Sequence, residues 1–345
     1  MLTERQVLIL KSIILLYTSY GNPIGSKTLM NEAGMKFSSA TIRNEMVRLE
    51  ELGFIEKTHS SSGRIPSIKG YRFYVDHLVH PTEIQKKDIV TIKQSFSNTF
   101  HQLDEIVVQS AEVLSQLTSY TAISLGPELK DSKLTGFRLV PLNEHRVMVI
   151  LVTDKGHVEN QVFSLPKTIQ PSDLEKMVKI FNERLVGHTL MEVFQKLKTE
   201  MPILINKYAK SAEGMLTILD DVILQAGRDQ IHVGGRMNML DYSIGLDVEK
   251  FKSIYSLMED QHDLAHLLTP YHSGIEVRIG QELDDELFDE FSLITASYNV
   301  MGYGTGLIAL LGPTSMPYSK MISLVDVFRN ELSKKIVDYY RSMED

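Results

Sequence analysis

The sequence predicts an α+β multidomain protein: an N-terminal winged helix-turn-helix, then a mixed α/β body interrupted by an inserted α+β segment. Three observations carry that expectation. Residues 36–70, KFSSATIRNEMVRLEELGFIEKTHSSSGRIPSIKG, read as an amphipathic helix, a short strand, a polar tip and a returning strand, the order of a winged helix. Residues 1–80 carry 10 Lys+Arg against 7 Asp+Glu, a balance of +3, whereas the rest of the chain stands at −11 and the whole at −8. A basic module on an acidic body is the asymmetry of a DNA-binding domain joined to an assembly or control domain. Finally, three strand-like runs between 134 and 165 lie between strands that read as parts of another sheet.

Residues 2–20 form the first helix. Thr3 and Gln6 make a capping box, in which the Thr hydroxyl accepts a first-turn N–H and Gln reaches back to the cap. Leu8, Ile9, Ile13, Leu16 and Tyr17 form its apolar stripe, and Gly21-Asn22-Pro23 ends it. A second helix is capped at Ser26 and closed by Gly34. The third opens at Ser38 or Ser39, either of which can cap it. Ile42, Met46, Leu49 and Leu52 are its buried stripe, Thr41, Arg43, Asn44, Val47 and Arg48 its outer face, and Gly53 its stop. The strands fall at 54–58 and 64–67 around a tip at 59–63, with Pro66 confining the second strand to an edge. A further helix at 71–79 uses its aromatics to pack the wing onto the rest.

Beyond Pro81, residues 83–119 read as a connecting helix pair that sets the distance between DNA-binding modules. A strand at 121–125 follows, then a meander at 134–142, 146–153 and 157–165, then helical patterns over 172–224. The last third returns to α/β: strands at 231–233, 275–279, 291–300 and 306–311, helix over 248–268, and a closing amphipathic helix within 313–345. The implied division is 1–80, 81–127, 128–225 and 226–345, with the third piece inserted into a sheet domain made by the second and fourth.

With 345 residues, two or three cores are expected. No apolar run reaches the length of a membrane span, and Thr3, Glu4, Arg5 and Gln6 interrupt any signal-peptide pattern. Cysteine is absent, which excludes disulfides, cysteine zinc fingers and thiol catalysis. These features together fit a cytoplasmic protein.

The chemistry concentrates in the helix and hairpin. Ser39, Thr41, Arg43 and Asn44 lie in the first turns of the third helix, the part that meets base edges in the major groove. Arg can fork to guanine and Asn to adenine because their paired hydrogen-bonding atoms match those edges. Arg48, one turn later, suits a phosphate. In the wing, Lys57, His59, Ser61 and Arg64 supply donors around a flexible Gly63, with Arg64 directed at the minor groove. Lys27, Lys69 and Arg72 are lesser phosphate candidates. The alternative for each is a solvated helix face or hairpin tip.

Other patterns read as structural. His262 and His266 lie one helical turn apart, but Asp263 stands where a zincin carries Glu, so no metal is expected. Residues 302–306, GYGTG, fit neither phosphate-loop spacing and read as a turn, as do Gly234 and Gly235. Met215, Met237 and Met239 read as core filler. No nucleophile motif frames the Ser, His and Asp residues, so neither enzyme activity nor a cofactor is expected.

The stretch SSATIRNEMVRLEELGFIEKTHSSSGRIPSIKGYRFYVD closely resembles the HrcA family, the bacterial heat-inducible transcription repressors. The start, LTERQVLILKSIILLYTSYGNPIGSKTL, and GTGLIALLGPTSMPY near the end are also similar to that family. The resemblance implies a winged-helix domain, a GAF-like domain and an inserted dimerising domain. It implies a homodimer on double-stranded DNA bearing an inverted-repeat operator, CIRCE, upstream of chaperone operons, with the GroEL chaperonin keeping the repressor active. A ligand-responsive regulator with a small-molecule site in the GAF-like domain is the alternative.

Overall fold

The computed structural model describes residues 2–58, 63–100, 102–127, 132–143, 146–156, 158–164, 171–208, 231–242, 248–268, 274–301 and 303–344. The first helix, α1, spans Glu4–Tyr20 and opens with the expected Thr3–Gln6 capping box. Its buried apolar residues are Ile9, Leu10, Ile13 and Ile14, while Leu8 is 45% exposed. The apolar stripe is therefore rotated toward Leu10 and away from Leu8, because α1 packs not only on α2 (Ser26–Glu32) and α3 (Ser39–Glu51) but also on residues 64–70, with Leu10 against Gly70. Ser26 does not cap α2. Gly25 holds the cap position, and the Ser26 hydroxyl turns inward to that of Ser39, 3.0 Å away. Ser38 caps α3, accepting from the Thr41 N–H at 3.1 Å. Ile42, Met46 and Leu49 are buried on α3, but Leu52 is exposed because the helix has already ended at Glu51.

Two short antiparallel strands follow, β1 (Ile55–Lys57) and β2 (Arg64–Pro66), in the register Ile55 to Pro66 and Lys57 to Arg64. Ile24, ahead of α2, bridges Arg64 as a third partner, so β2 has a neighbour on its other edge. Gly63 is buried against Pro23, where an added Cβ would lie 2.8 Å from the Pro23 backbone. Its glycine character serves this close chain crossing, where the sequence suggested flexibility toward phosphates. Helix α4 (Ile68–His77) begins one residue after β2 and is capped by Ser67. Its Phe73 ring meets Phe54 edge-on at 5.4 Å, and its Tyr71 and Tyr74 are buried.

Helices α5 (Lys86–Ser95) and α6 (Leu103–Thr118) lead to β3 (Thr121–Leu125). The largest sheet is antiparallel, in the order β7-β3-β10-β9-β8, with β7 at Ile231–Gly234, β8 at Ile275–Ile279, β9 at Phe291–Val300 and β10 at Gly304–Pro313. Alternate residues go to opposite faces. Ala122, Ile294, Ile308 and Leu310 join α5, α6 and the closing helix. Ile123, Leu293, Leu307, Ala309 and Leu311 join Ile254, Met258, Leu264 and Leu268 on the other side. Burial on both faces explains why these strands read as nearly continuous apolar runs.

The 248–268 helical stretch is two helices, α10 (Val248–Glu259) and α11 (Gln261–Leu268). The break falls at Asp260, whose carboxylate accepts from the Asp263 N–H at 3.2 Å and starts α11. The closing helix, numbered α12, spans Tyr318–Glu344. Helix α6 is not a spacer. Its Ser110 is fully buried and donates to the Ser124 hydroxyl of β3 at 2.7 Å, which makes α6 a layer of the sheet domain. Gly234 lets β7 approach α6, since an added Cβ would lie 2.5 Å from the Ala111 carbonyl.

A separate three-stranded meander holds β4 (Leu134–Asn143), β5 (Arg146–Thr153) and β6 (Val158–Ser164), in the order β4-β5-β6. Its inner face, Phe137, Val147, Val149 and Leu151, packs on α7 (Pro171–Leu185), α8 (Leu190–Thr199) and α9 (Met201–Tyr208). Asn182 of α7 satisfies the free edge of β4, accepting from Phe137 N at 3.1 Å and donating to Phe137 O at 2.8 Å. The outer face carries Val140, Leu142, Val158 and Val162, all exposed; Val140 and Val162 flank Met148, and Val158 pairs with Val152.

Candidate nucleic-acid interface

Helix α3 is held from behind by α1. The Gln6 amide donates to Glu45 at 3.1 Å, Arg5 pairs with the same carboxylate at 3.5 Å, and the Arg5 guanidinium lies over the Phe37 ring. With Ile42, Met46 and Leu49 buried, the 3.6-residue period turns Arg43, Asn44, Val47 and Arg48 outward. These four side chains are exposed and have no partner among the described residues. Thr41 is half-buried with its hydroxyl 2.8 Å from that of Ser38, and Ser39 spends its hydroxyl on Ser26. Both therefore organise the helix start before they offer anything to a ligand.

Lys57 ends β1 exposed, and Lys27 is exposed on α2. The expected tip residues His59 and Ser61, with Ser60 and Ser62, lie outside the described residues. Arg64 does not point outward. Its Nε and Nη2 both reach the Glu50 Oε2, at 2.9 and 2.7 Å, and its side chain is 13% exposed. The pair ties the hairpin to α3 and neutralises the Glu50 carboxylate. Lys69 likewise leaves the phosphate set, because its Nζ donates to the Leu52 carbonyl at 2.8 Å over the Phe54 ring, capping the end of α3. Arg72 turns toward the body and meets Val277 and Glu282. The sequence pattern missed these inward roles because it gives spacing but not which way a long cation folds. Val47 was visible in it as an outer-face residue, and it stands exposed among Arg43, Asn44 and Arg48.

On α4, Tyr71 packs 5.9 Å from Tyr318 of the closing helix. Burial holds both phenols protonated far above the ordinary tyrosine range. Among the described residues, no group of three or more His, Cys, Asp or Glu side chains could hold a metal ion. The side chains of His262 and His266 lie outside the described residues, as does Met215. Met239 is buried as expected, whereas Met237 is exposed. No helix among the described residues is long and apolar enough to cross a membrane.

Residues 104–322 match the family model described as HrcA protein C terminal domain. The chain is 53% identical to a protein of Enterococcus faecalis named heat-inducible transcription repressor HrcA, covering 99% of each. It is 51% identical to the protein of that name from Tetragenococcus halophilus, over 100% of this chain and 99% of the relative. A solved structure described only as a hypothetical protein superposes with a TM-score of 0.66 at 24% identity, covering 98% of this chain and 99% of the other. That likeness is one of fold, and it supports the mixed α/β architecture of the described residues. The class these findings define is that of transcription repressors. Within it, the chain belongs to the HrcA family.

Proposed function

We propose that this chain represses chaperone operons by binding, as a homodimer, an inverted-repeat CIRCE operator. The observation that carries the reading is the outer face of α3, where two cations and an amide stand exposed without partners among the described residues, with Lys57 on the neighbouring hairpin. In this reading α1 to α3 with β1 and β2 form a winged helix-turn-helix, and α3 is the recognition helix. Arg43 and Asn44 read base edges, while Arg48, Lys57 and Lys27 meet phosphates. Residues 81–127 and 226–345 make the GAF-like domain, supported by the five-stranded sheet between helices. Residues 128–225 form the dimerising insert, and the apolar outer face of β4-β5-β6 is the surface that would join two copies.

Repression follows sterically, since two reading modules on symmetric half-sites cover the DNA that polymerase needs. The GroEL chaperonin acts on the repressor in the cytoplasm, and heat draws it away. The test is fluorescence anisotropy on an inverted-repeat duplex and a scrambled one, at fixed near-physiological salt, with and without chaperonin. Tight binding to the repeat alone supports the reading. Equal, salt-sensitive binding to both duplexes that chaperonin leaves unchanged would overturn it.

A further inference from the structure

We propose that Arg72 is a positioning residue: its link to the body sets the angle of the DNA-reading module, and with it the half-site spacing the homodimer accepts. The inference rests on the reading of the chain as a DNA-binding homodimer. It starts from the absence of a linker, because only Ser67 separates β2 from α4.

Upstream, α4 is welded to the reading module. Ser67 donates from its N to Phe54 O at 3.1 Å and from its hydroxyl to Gly53 O at 2.6 Å, and the same hydroxyl accepts from Gly70 N at 3.0 Å. An added Cβ at Gly70 would lie 2.1 Å from Phe54 O, so no side chain fits in that joint. With Lys69 capping α3, the reading helix, the hairpin and α4 turn together.

Downstream, α4 lies on the body. Ile68 packs over Gly280, where an added Cβ would lie 3.1 Å from its Cδ1, and Tyr74 Oη is 3.2 Å from the Ser319 hydroxyl. Tyr71 adds buried packing 5.9 Å from Tyr318. Arg72 supplies the charged, directional link: its Nη1 donates to the Val277 carbonyl at 2.9 Å and to Glu282 Oε2 at 3.2 Å. Glu282 is itself held, since the same oxygen accepts from Ile279 N at 2.8 Å. Asp76, one turn on, lies 3.4 Å from Arg72 Nε but out of line for a hydrogen bond. A cation anchored by a backbone carbonyl and a fixed carboxylate defines both angle and distance.

The lever is long enough to matter. Helix α3 has 13 residues. At about 1.5 Å per residue it spans about 20 Å, so a turn of about 10° moves its far end by about 3.5 Å. That is close to the rise of roughly 3.4 Å between successive base pairs. A loosened module would still bind one half-site but would lose the advantage of meeting two at once.

The experiment compares wild type with Arg72→Ala, Arg72→Lys and Glu282→Gln. Affinity is measured on a full inverted repeat, on one half-site, and on repeats with the spacer lengthened or shortened by one base pair. Arg72→Ala is expected to lose about tenfold on the full repeat, to keep half-site affinity, and to discriminate less among spacers, with Arg72→Lys restoring part of the loss. The chain has no cysteine, so labels at Glu51→Cys and Glu286→Cys report the angle directly once labelled chain is diluted with unlabelled chain. Their distance distribution should broaden in Arg72→Ala and in Glu282→Gln. Equal losses on half-site and full repeat would make Arg72 a DNA contact and overturn the proposal, as would an unchanged spacer profile with a narrow distance distribution. If Arg72→Ala does not fold, the milder Glu282→Gln and Arg72→Lys carry the same comparison. A wild type indifferent to the repeat would instead overturn the DNA-binding reading itself.

Discussion

Arg64 is the residue on which the sequence pattern and the folded chain differ most, and Glu50→Gln paired with Arg64→Ala separates the two roles. Arg64 Nε and Nη2 both reach one Glu50 oxygen, Nη1 donates to the Gly63 carbonyl at 3.3 Å, and the Arg64 and Glu50 side chains are 13% and 32% exposed. Removing one partner of a fully buried pair costs about 3–5 kcal/mol, and a fully exposed pair is worth about 0–1. With Glu50 a third in water and the Arg64 stem packed, Arg64→Ala should cost about 2 kcal/mol. Glu50→Gln keeps an acceptor and should cost about 1 kcal/mol. Urea unfolding gives both numbers, and the double variant should cost less than their sum because the sites couple. On operator DNA, a bracing Arg64 predicts weaker binding from Arg64→Ala with an unchanged salt slope. If instead Arg64 serves the DNA and merely rests on Glu50, Glu50→Gln would tighten binding and Arg64→Ala would flatten the slope by about one unit. Those two results together would refute the bracing role.

Arg43→Ala should cost about 1–3 kcal/mol on the inverted repeat and little on a scrambled duplex, and equal losses would reassign it to phosphate. Lys57→Ala should weaken both duplexes and flatten the salt slope by about one unit, so an unchanged slope would remove it from the backbone contacts. Val47 is the apolar member of the same face, and uracil-for-thymine replacement within the half-site should weaken wild type more than Val47→Ala; identical losses would exclude a methyl contact. Burial raises the phenols of Tyr71, Tyr298, Tyr318 and Tyr340 above the ordinary value. The unfolded chain releases those protons first, so their stability is complete below about pH 10 and falls above it by about 1.4 kcal/mol per pH unit for each. Tyrosinate absorbance should therefore appear for these four only with unfolding, and their titration near pH 10 in folded protein would contradict the burial.

What the sequence determined by itself is local. The Thr3–Gln6 box, the outer face of α3 and the three strands of the meander follow from hydrogen-bond chemistry and from periods of 3.6 and 2, which need only near neighbours. The long similarity to a known family supplied the functional class for the same reason, since it is a pattern along the chain. Tertiary structure decided where the long polar side chains go. Ser26, Arg64, Lys69 and Arg72 could each have faced water or DNA, and each turns inward to a partner 13 to 210 residues away. It also decided that α6 is a layer of the sheet and that Gly63 and Gly70 are points of chain crossing. A cation's reach spans several directions at nearly equal local cost, so its choice depends on which carbonyl or carboxylate the distant chain brings within about 3 Å.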